Sequence, residues 1–355
     1  VHPVTSFPVR ALGTTDMSIT RVGFGAWALG GGDWARGWGA QNDAESIAAI
    51  QHAVRRGINW IDTAAVYGLG HSETIIGQAL KGLSRAERPL IFTKGGLRWD
   101  DHDRQAMPRR VGDPDSLREE IDASLKRLGV ETIDLYQMHW PTDDGTPLEA
   151  YWQVLLDAKR SGKVRAVGLS NHNVAQLEAA ERLGHVDSLQ PPFSAIQRSA
   201  ADDVLPWCDR HNTGVIVYSP MQSGLLTGTM TPDRVRALGH DDWRAGHVEY
   251  TSPRLERNLA LADAMKPLAQ RHGATTAAVA IAWTLTWPGV TGAIVGARSP
   301  AQVDDWLAAA TLELDDDDLD AVADAIARTG AGVGPARPPR REDDSVLDIL
   351  PSLSL

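Results

Sequence analysis

Short apolar runs recur along the chain, and several close on a polar residue: INWID ends at Asp62, LIFTK at Lys94, IDLYQMH at His139 and VIVY at Tyr218. Between them lie segments whose apolar residues return every three or four positions, as in a helix packed on one face. Leu117, Ile121, Leu125 and Leu128 form one such stripe. Strands alternating with helices make a parallel sheet. Eight strands are countable from Val22 onward: VGFGA, INWID, LIFTK, IDLYQMH, VRAVGLS, a short one around VDSLQ, GVIVY and TGAIVG. The expected fold class is therefore α/β, an (α/β)8 TIM barrel whose active site lies where the strands end. Residues 9–22, two short strands around Gly-Thr-Thr-Asp, are expected to form a hairpin plugging the barrel floor. Helices are expected over Asp43–Arg56, from Ser72, from Ser116, and over Leu148–Ser161, Val174–Leu183 and Ala201–His211. Asn42 with Glu45, and Ser116 with Glu119, have the spacing of reciprocal helix caps.

Regularity fails at 28–41, 95–114, 229–253 and from 330 onward. The first three follow strand ends and so should overhang the barrel mouth, where long loops shape access. They carry Trp34, Trp38, Trp99 and Trp243, which either line a substrate pocket or pin the loops to the scaffold. The Gly-, Pro- and charge-rich segment GAGVGPARPPRREDD reads as a mobile linker, and the apolar DSVLDILPSLSL after it as a docking segment. The expected organisation is one barrel domain over 1–330 and a partly flexible tail over 331–355.

At 355 residues and 43% hydrophobic content the chain can bury a large core. A net charge of −11 argues against nucleic acid or an anionic membrane as a partner. The single Cys208 excludes a disulfide framework and a thiolate metal cage. No run approaches the ~18 apolar residues of a membrane span, and no charged-then-apolar leader opens the sequence. A cytoplasmic protein is the expectation. Its partner is expected to be a small molecule.

Asp62, Lys94 and His139 each have an ordinary explanation: a turn cap, an ion pair, a satisfied core histidine. Together they place titratable groups at three successive strand ends, which is costly unless the groups interact. Tyr67, on the loop DTAAVYG, adds a fourth. A phenol beside an ammonium should have its pKa lowered by about 1 to 3 units, which would make Tyr67 a proton donor served by Lys94. Asp62 would then hold Lys94, and His139 would polarise or position a substrate oxygen.

The segments DTAAVYG, FTK, DLYQMHWP and VGLSN resemble those of the aldo-keto reductases, and the resemblance runs from LGTTDMSITRVGFGAW to VGARSPAQVDD. It implies an (α/β)8 barrel without a Rossmann domain, with Asp62, Tyr67, Lys94 and His139 as catalytic tetrad and Tyr67 as general acid. Hydride would come from bound NADPH. The resemblance also implies that Ser170, Asn171 and Gln190 hold the nicotinamide carboxamide, that Tyr218 stacks on its ring, and that Ser219, Met221 and Ser223 wrap the pyrophosphate. Gly25 and Trp27, at the first strand end, fall near the cofactor. Arg298 and Gln302 match the adenosine end. An Arg beside the helix start at Ser299-Pro300 suits a 2′-phosphate and so favours NADP(H).

Two positions depart from the family pattern. Asp305, the acid at the adenine edge, is followed by Trp306 instead of Asn, and Gln222 replaces a small residue in the pyrophosphate loop. Gly23-Phe-Gly25 lacks the following helix of a dinucleotide fingerprint, and His71-Ser-Glu73 lacks the cysteines of a zinc deaminase. No metal site is expected. The acidic run Asp315–Asp318 fits a helix start. The resulting expectation is NADPH-dependent reduction of an aldehyde or ketone, such as a keto sugar or other polar carbonyl compound, to the alcohol. Its alternatives are a sugar or alcohol dehydrogenase running oxidatively, and a cofactor-binding regulatory subunit like the potassium-channel beta subunits.

Overall fold

In the computed structural model, which describes residues 7–239 and 242–340, the chain enters through a hairpin of β1 (Val9–Ala11) and β2 (Ser18–Thr20). Leu12, Met17 and Ile19 from this hairpin are buried with Trp60, Phe92, Leu135, Ala166, Ile216 and Ile294 in one cluster. These are inward-facing residues of the barrel, so the hairpin is its plug. The indole Nε1 of Trp60 donates to the Thr20 carbonyl at 2.8 Å, tying plug to wall.

The wall is a closed barrel of eight parallel strands: β3 (Val22–Gly25), β4 (Trp60–Asp62), β5 (Leu90–Gly95), β8 (Ile133–Met138), β9 (Val164–Ser170), β10 (Ser188–Gln190), β11 (Gly214–Val217) and β12 (Val290–Gly296). A small antiparallel pair, β6 (Leu97–Arg98) and β7 (Arg109–Arg110), stands in the loop after β5. All eight barrel strands fall on the runs expected from the sequence. Such runs are apolar throughout because a parallel strand is covered on both faces. The larger apolar core fills the layer between this barrel and the surrounding helices.

The helix ends show which local signals operate. Asn42 caps Asp43–Arg55 by accepting from the Glu45 amide, the expected half of a reciprocal cap. The next helix spans His71–Lys81, one residue earlier than expected, after the left-handed Gly70. Ser116 is not the cap of the third helix. Asp113 is, accepting from the Ser116 amide at 2.9 Å, and the helix runs Pro114–Leu128 because proline, lacking an N–H, is well suited to a first turn. Leu117, Ile121 and Leu128 of its stripe are buried, with Leu125 half-buried. The helix expected from Ala201 begins at Val204, after a short 3-10 turn over Ser199–Ala201. Three further helices, the short Pro232–Arg236 and the longer Arg254–Arg271 and Thr276–Leu285, lie between β11 and β12. Asp315 and Asp318 form a reciprocal cap on Asp316–Thr329, and the buried Asp318 also pairs with Arg271 and His272.

Residues 331–340 are docked on the barrel and do not hang free as a linker. Arg198 donates to the carbonyls of Ala331 and Gly334, and Arg337 pairs with Asp316 and Asp320. The apolar segment DSVLDILPSLSL lies outside the described residues. No helix among those described is long and apolar enough to cross a membrane. Cys208 is buried, and burial pushes its thiol pKa up.

Candidate active site

Each barrel strand delivers a residue to the same rim. Gly25, Asp62, Ser170, Gln190 and Gly296 end their strands, Lys94 is next to last in β5, and His139 and Tyr218 follow β8 and β11 directly. Parallel alignment therefore does the gathering. The loop bearing Tyr67 is fixed at its root by amides of Thr63 and Ala65, which donate to the carbonyls of Phe92 and Lys94. Its far side rests on another loop: a Cβ added to Gly68, whose φ is 63°, would meet the Gly30 carbonyl at 2.4 Å. Only glycine permits that approach.

Lys94 and Asp62 are buried together, Nζ donating to Oδ1 at 2.6 Å and to the Thr63 carbonyl at 2.8 Å. Gln190 Nε2 donates to the other Asp62 oxygen at 2.8 Å. Burial pushes the Asp62 carboxyl up and the Lys94 ammonium down, and the attraction between them opposes both shifts. Lys94 Nζ lies 5.3 Å from the centroid of the Tyr67 ring, and the Tyr67 and His139 rings meet edge-on at 5.8 Å. The four side chains of the expected tetrad are thus together.

One expectation about them is reversed. The Tyr67 phenol is held well above its usual pKa, first by burial and then by the negative charge of Asp62. The Lys94 ammonium beside the ring is itself paired with Asp62 at 2.6 Å. His139 is pushed well below the usual imidazole range by burial and then by Lys94. Near neutral pH the site therefore holds a protonated phenol and an uncharged imidazole.

A cavity of about 920 Å³ opens from this point, and its walls include Asp62, Tyr67 and His139. Every residue expected at the cofactor lines it: Gly25, Trp27, Ser170, Asn171, Gln190, Tyr218, Ser219, Met221, Ser223, Arg298, Gln302 and Asp305. Lys94 lies behind the wall, reaching the site through Asp62. Ser170 Oγ donates to the Gln190 carbonyl, Asn171 Nδ2 to the His139 carbonyl, and Tyr218 Oη to Asn171 Oδ1 at 2.8 Å. Behind Ser170, His172 Nδ1 contacts the Ser170 carbonyl and its Nε2 contacts Tyr151 Oη, both at 2.8 Å. This network ties Ser170, Asn171, Gln190 and Tyr218 to one another at the cavity wall.

The loop after β11 has an unusual backbone. Ser219, Gln222 and Ser223 are non-glycine residues with φ of 56°, 47° and 51°. Gln222, the departure noted in the sequence, is held by Ser194, whose hydroxyl donates to its Oε1 at 2.9 Å, and Tyr250 Oη donates to the Ser223 carbonyl at 2.7 Å. The other departure, Trp306, is buried in the apolar core while still bordering the cavity.

The mouth tryptophans both line the cavity and brace the loops. Trp27 stacks between Tyr67 and Trp243, at 6.0 and 5.6 Å, and Trp38 meets Trp27 and Trp243 edge-on at 5.2 and 5.7 Å. Trp34 also lines the cavity, while Trp99 packs beside Trp34 in the same apolar cluster. Sequence reasoning missed Arg244, which lies over Trp38 at 4.7 Å, and Gln41, which binds Arg298. Neither carried a local signal, since their partners are far away in the chain. The His71 and Glu73 of the discarded zinc pattern serve ion pairs with Asp43 and Arg127.

The donor set fits a nicotinamide dinucleotide. Gln190 spends its amide on Asp62 and keeps a carbonyl oxygen to accept from a carboxamide, Tyr218 offers a ring, and the loop after β11 offers hydroxyls and amides. His139 Nδ1, Trp38 Nε1 and Trp243 Nε1, all on residues lining the cavity, are buried without a partner in the protein.

The model of the aldo/keto reductase family matches residues 21–327. The NADH-specific methylglyoxal reductase of Escherichia coli strain K12 is 36% identical over 318 residues, covering 86% of this chain and 94% of that protein. The aldo-keto reductase YhdN of Bacillus subtilis strain 168 is 33% identical, covering 83% and 86%. Among solved structures, a glycerol dehydrogenase from Gluconobacter oxydans superimposes with a TM-score of 0.82 at 35% identity, covering 94% of this chain and 98% of that one. With its closed eight-stranded barrel and a family match across most of its length, the chain belongs to the aldo/keto reductase family.

Proposed function

We propose that this chain reduces a small polar aldehyde or ketone to the alcohol, with Tyr67 as proton donor and a nicotinamide dinucleotide as hydride source. The observation that carries this reading is the convergence of Tyr67, His139, Ser170, Asn171, Gln190 and Tyr218 on one cavity, with the Lys94–Asp62 pair buried behind it. When bound, the cofactor supplies hydride to the carbonyl carbon. Ser170, Asn171 and Gln190 would hold its carboxamide, Tyr218 its ring, and the Ser219–Ser223 loop its pyrophosphate.

The chain's own residues manage the proton. Burial keeps the Tyr67 hydroxyl protonated, so it can donate to the carbonyl oxygen as negative charge develops there. The uncharged His139, with Nδ1 buried and unpartnered, has Nε2 left to polarise the same oxygen. Lys94, held by Asp62 and the Thr63 carbonyl, keeps that carboxylate paired behind the cavity wall. The Trp27, Trp38 and Trp243 cluster screens it from water.

The names of relatives support a small, oxygen-rich substrate, methylglyoxal in one case and glycerol in another. They also support either direction of reaction. For the cofactor's 2′ position, Arg298 beside its helix start supports a phosphate, whereas the NADH specificity named for the Escherichia coli relative supports its absence. The test is a panel of aldehydes, ketoses and α-oxoaldehydes followed by loss of reduced-nicotinamide absorbance. Turnover of at least one polar carbonyl is expected; tight cofactor binding with no turnover across the panel would favour a regulatory role.

A further inference from the structure

The adenosine end of the cavity holds a cation that is already in use. Arg298 lines that end with Gln302 and Asp305, and all three of its guanidinium nitrogens donate to the loop before the first barrel helix. Nε donates to Gln41 Oε1 at 2.6 Å, one terminal nitrogen to the Trp38 carbonyl at 3.3 Å, and the other to the Ala40 carbonyl. Gln41 returns the contact, its Nε2 donating to the Arg298 carbonyl at 3.0 Å. Residues 257 or more apart in sequence are thereby locked together.

This lock is braced from both sides. Gln41 Nε2 also donates to Ser46 Oγ at 3.0 Å, and Ser46, buried in the first turn of its helix, donates to the Asn42 carbonyl. Arg298 is steadied by its own helix start, where its amide donates to Gln302 Oε1 at 2.8 Å. Trp38 is clamped between Trp27, Trp243 and Arg244. The acceptors therefore form a preorganised oxygen nest around the guanidinium.

A phosphate on the cofactor's 2′ oxygen would have to compete with that nest. A guanidinium has five N–H donors, of which three are spent here. The two that remain sit one on each terminal nitrogen, so a phosphate that engages the guanidinium through its Nε side would have to displace Gln41. A ribose 2′-hydroxyl makes no such demand. A carboxylate adds to the discrimination, since Asp305 lines the same end.

We propose that the Trp38–Gln41 segment occupies Arg298 in place of a cofactor phosphate, so that the chain binds NADH at least as tightly as NADPH, and that Gln41 sets this preference. The inference rests on the nicotinamide-dependent reading above. It reverses the preference expected from Arg298 alone, because that expectation took the guanidinium to be free.

Isothermal titration calorimetry of the full chain with NADH and with NADPH tests it without reference to turnover. The parent should bind NADH as tightly as NADPH or more tightly. Gln41→Ala should tighten NADPH about tenfold, the factor associated with one hydrogen bond to a charged group, while leaving NADH within about twofold. Gln41→Glu, which grips Arg298 more strongly and repels phosphate, should weaken NADPH alone. Tighter binding of NADPH by the parent, or an equal shift of both cofactors in Gln41→Ala, would overturn the proposal. Failure of the folded parent to bind either cofactor would instead remove the nicotinamide-dependent reading itself, and this inference with it.

Discussion

The protonation states of Tyr67 and His139 follow from burial more than from their neighbours. A phenol raised above its usual pKa stays protonated through neutral pH, and an imidazole lowered below its usual pKa stays uncharged. The expected kcat/KM profile is therefore flat from about pH 7 to about pH 9, because neither group titrates between the ordinary values of about 6.5 and about 10. An acidic limb centred near neutrality, or a basic limb below pH 9, would contradict these assignments. His172 adds a stability consequence. Burial lowers its pKa to about 4, although its contact with the Ser170 carbonyl opposes the shift. The unfolded chain, with histidine near 6.5, then binds more protons, so this contribution is present above pH ~6.5 and is lost as pH falls towards 4. Denaturant midpoints measured at pH 7 and pH 5 should fall accordingly, and His172→Gln should flatten the difference.

At the scale of elements, the rim chemistry depends on how tightly plug, strands and loops meet. A Cβ on Gly23, in β3, would lie 2.1 Å from the Trp60 indole, the same ring that is tied to the plug through Thr20. Gly23→Ala should therefore destabilise the fold by about 1–3 kcal/mol through overpacking, as urea denaturation would report. A variant of parental stability would mean that Trp60 has room to move. The elements were largely legible in the sequence because strand runs and helical stripes are local signals. Asp113 shows the limit. Ser116 and Asp113 are both good caps by residue type, and the Pro114 between them, favoured in a first turn, was the signal that distinguishes them. The docked segment 331–340 misled for a similar reason. Its Gly and Pro content reads as a linker, but ion pairs from Arg337 and the carbonyls held by Arg198 fasten it.

Across the whole molecule, a chain of net charge −11 still gathers cationic side chains locally around its cavity. Arg36, Arg110, Arg244 and Arg298 line it, with Asp62 neutralised by Lys94. Asp62, Lys94, His139 and Tyr218 were legible because strand ends of a parallel barrel must converge, whereas the cofactor candidates were legible only through the resemblance of their segments to the aldo-keto reductases. What could not be read was their electrostatic state. Tyr67 is governed by burial and by Asp62, and Arg298 by a loop 257 positions away, and both are facts of packing. The reduction reading rests above all on Tyr67 as the proton donor beside the nicotinamide slot. Its most direct test is single-turnover reduction of a carbonyl substrate by Tyr67→Phe loaded with cofactor, with cofactor affinity measured in parallel. The expected result is a rate about 10²- to 10⁴-fold below the parent with cofactor affinity unchanged; reduction at the parental rate would contradict the account.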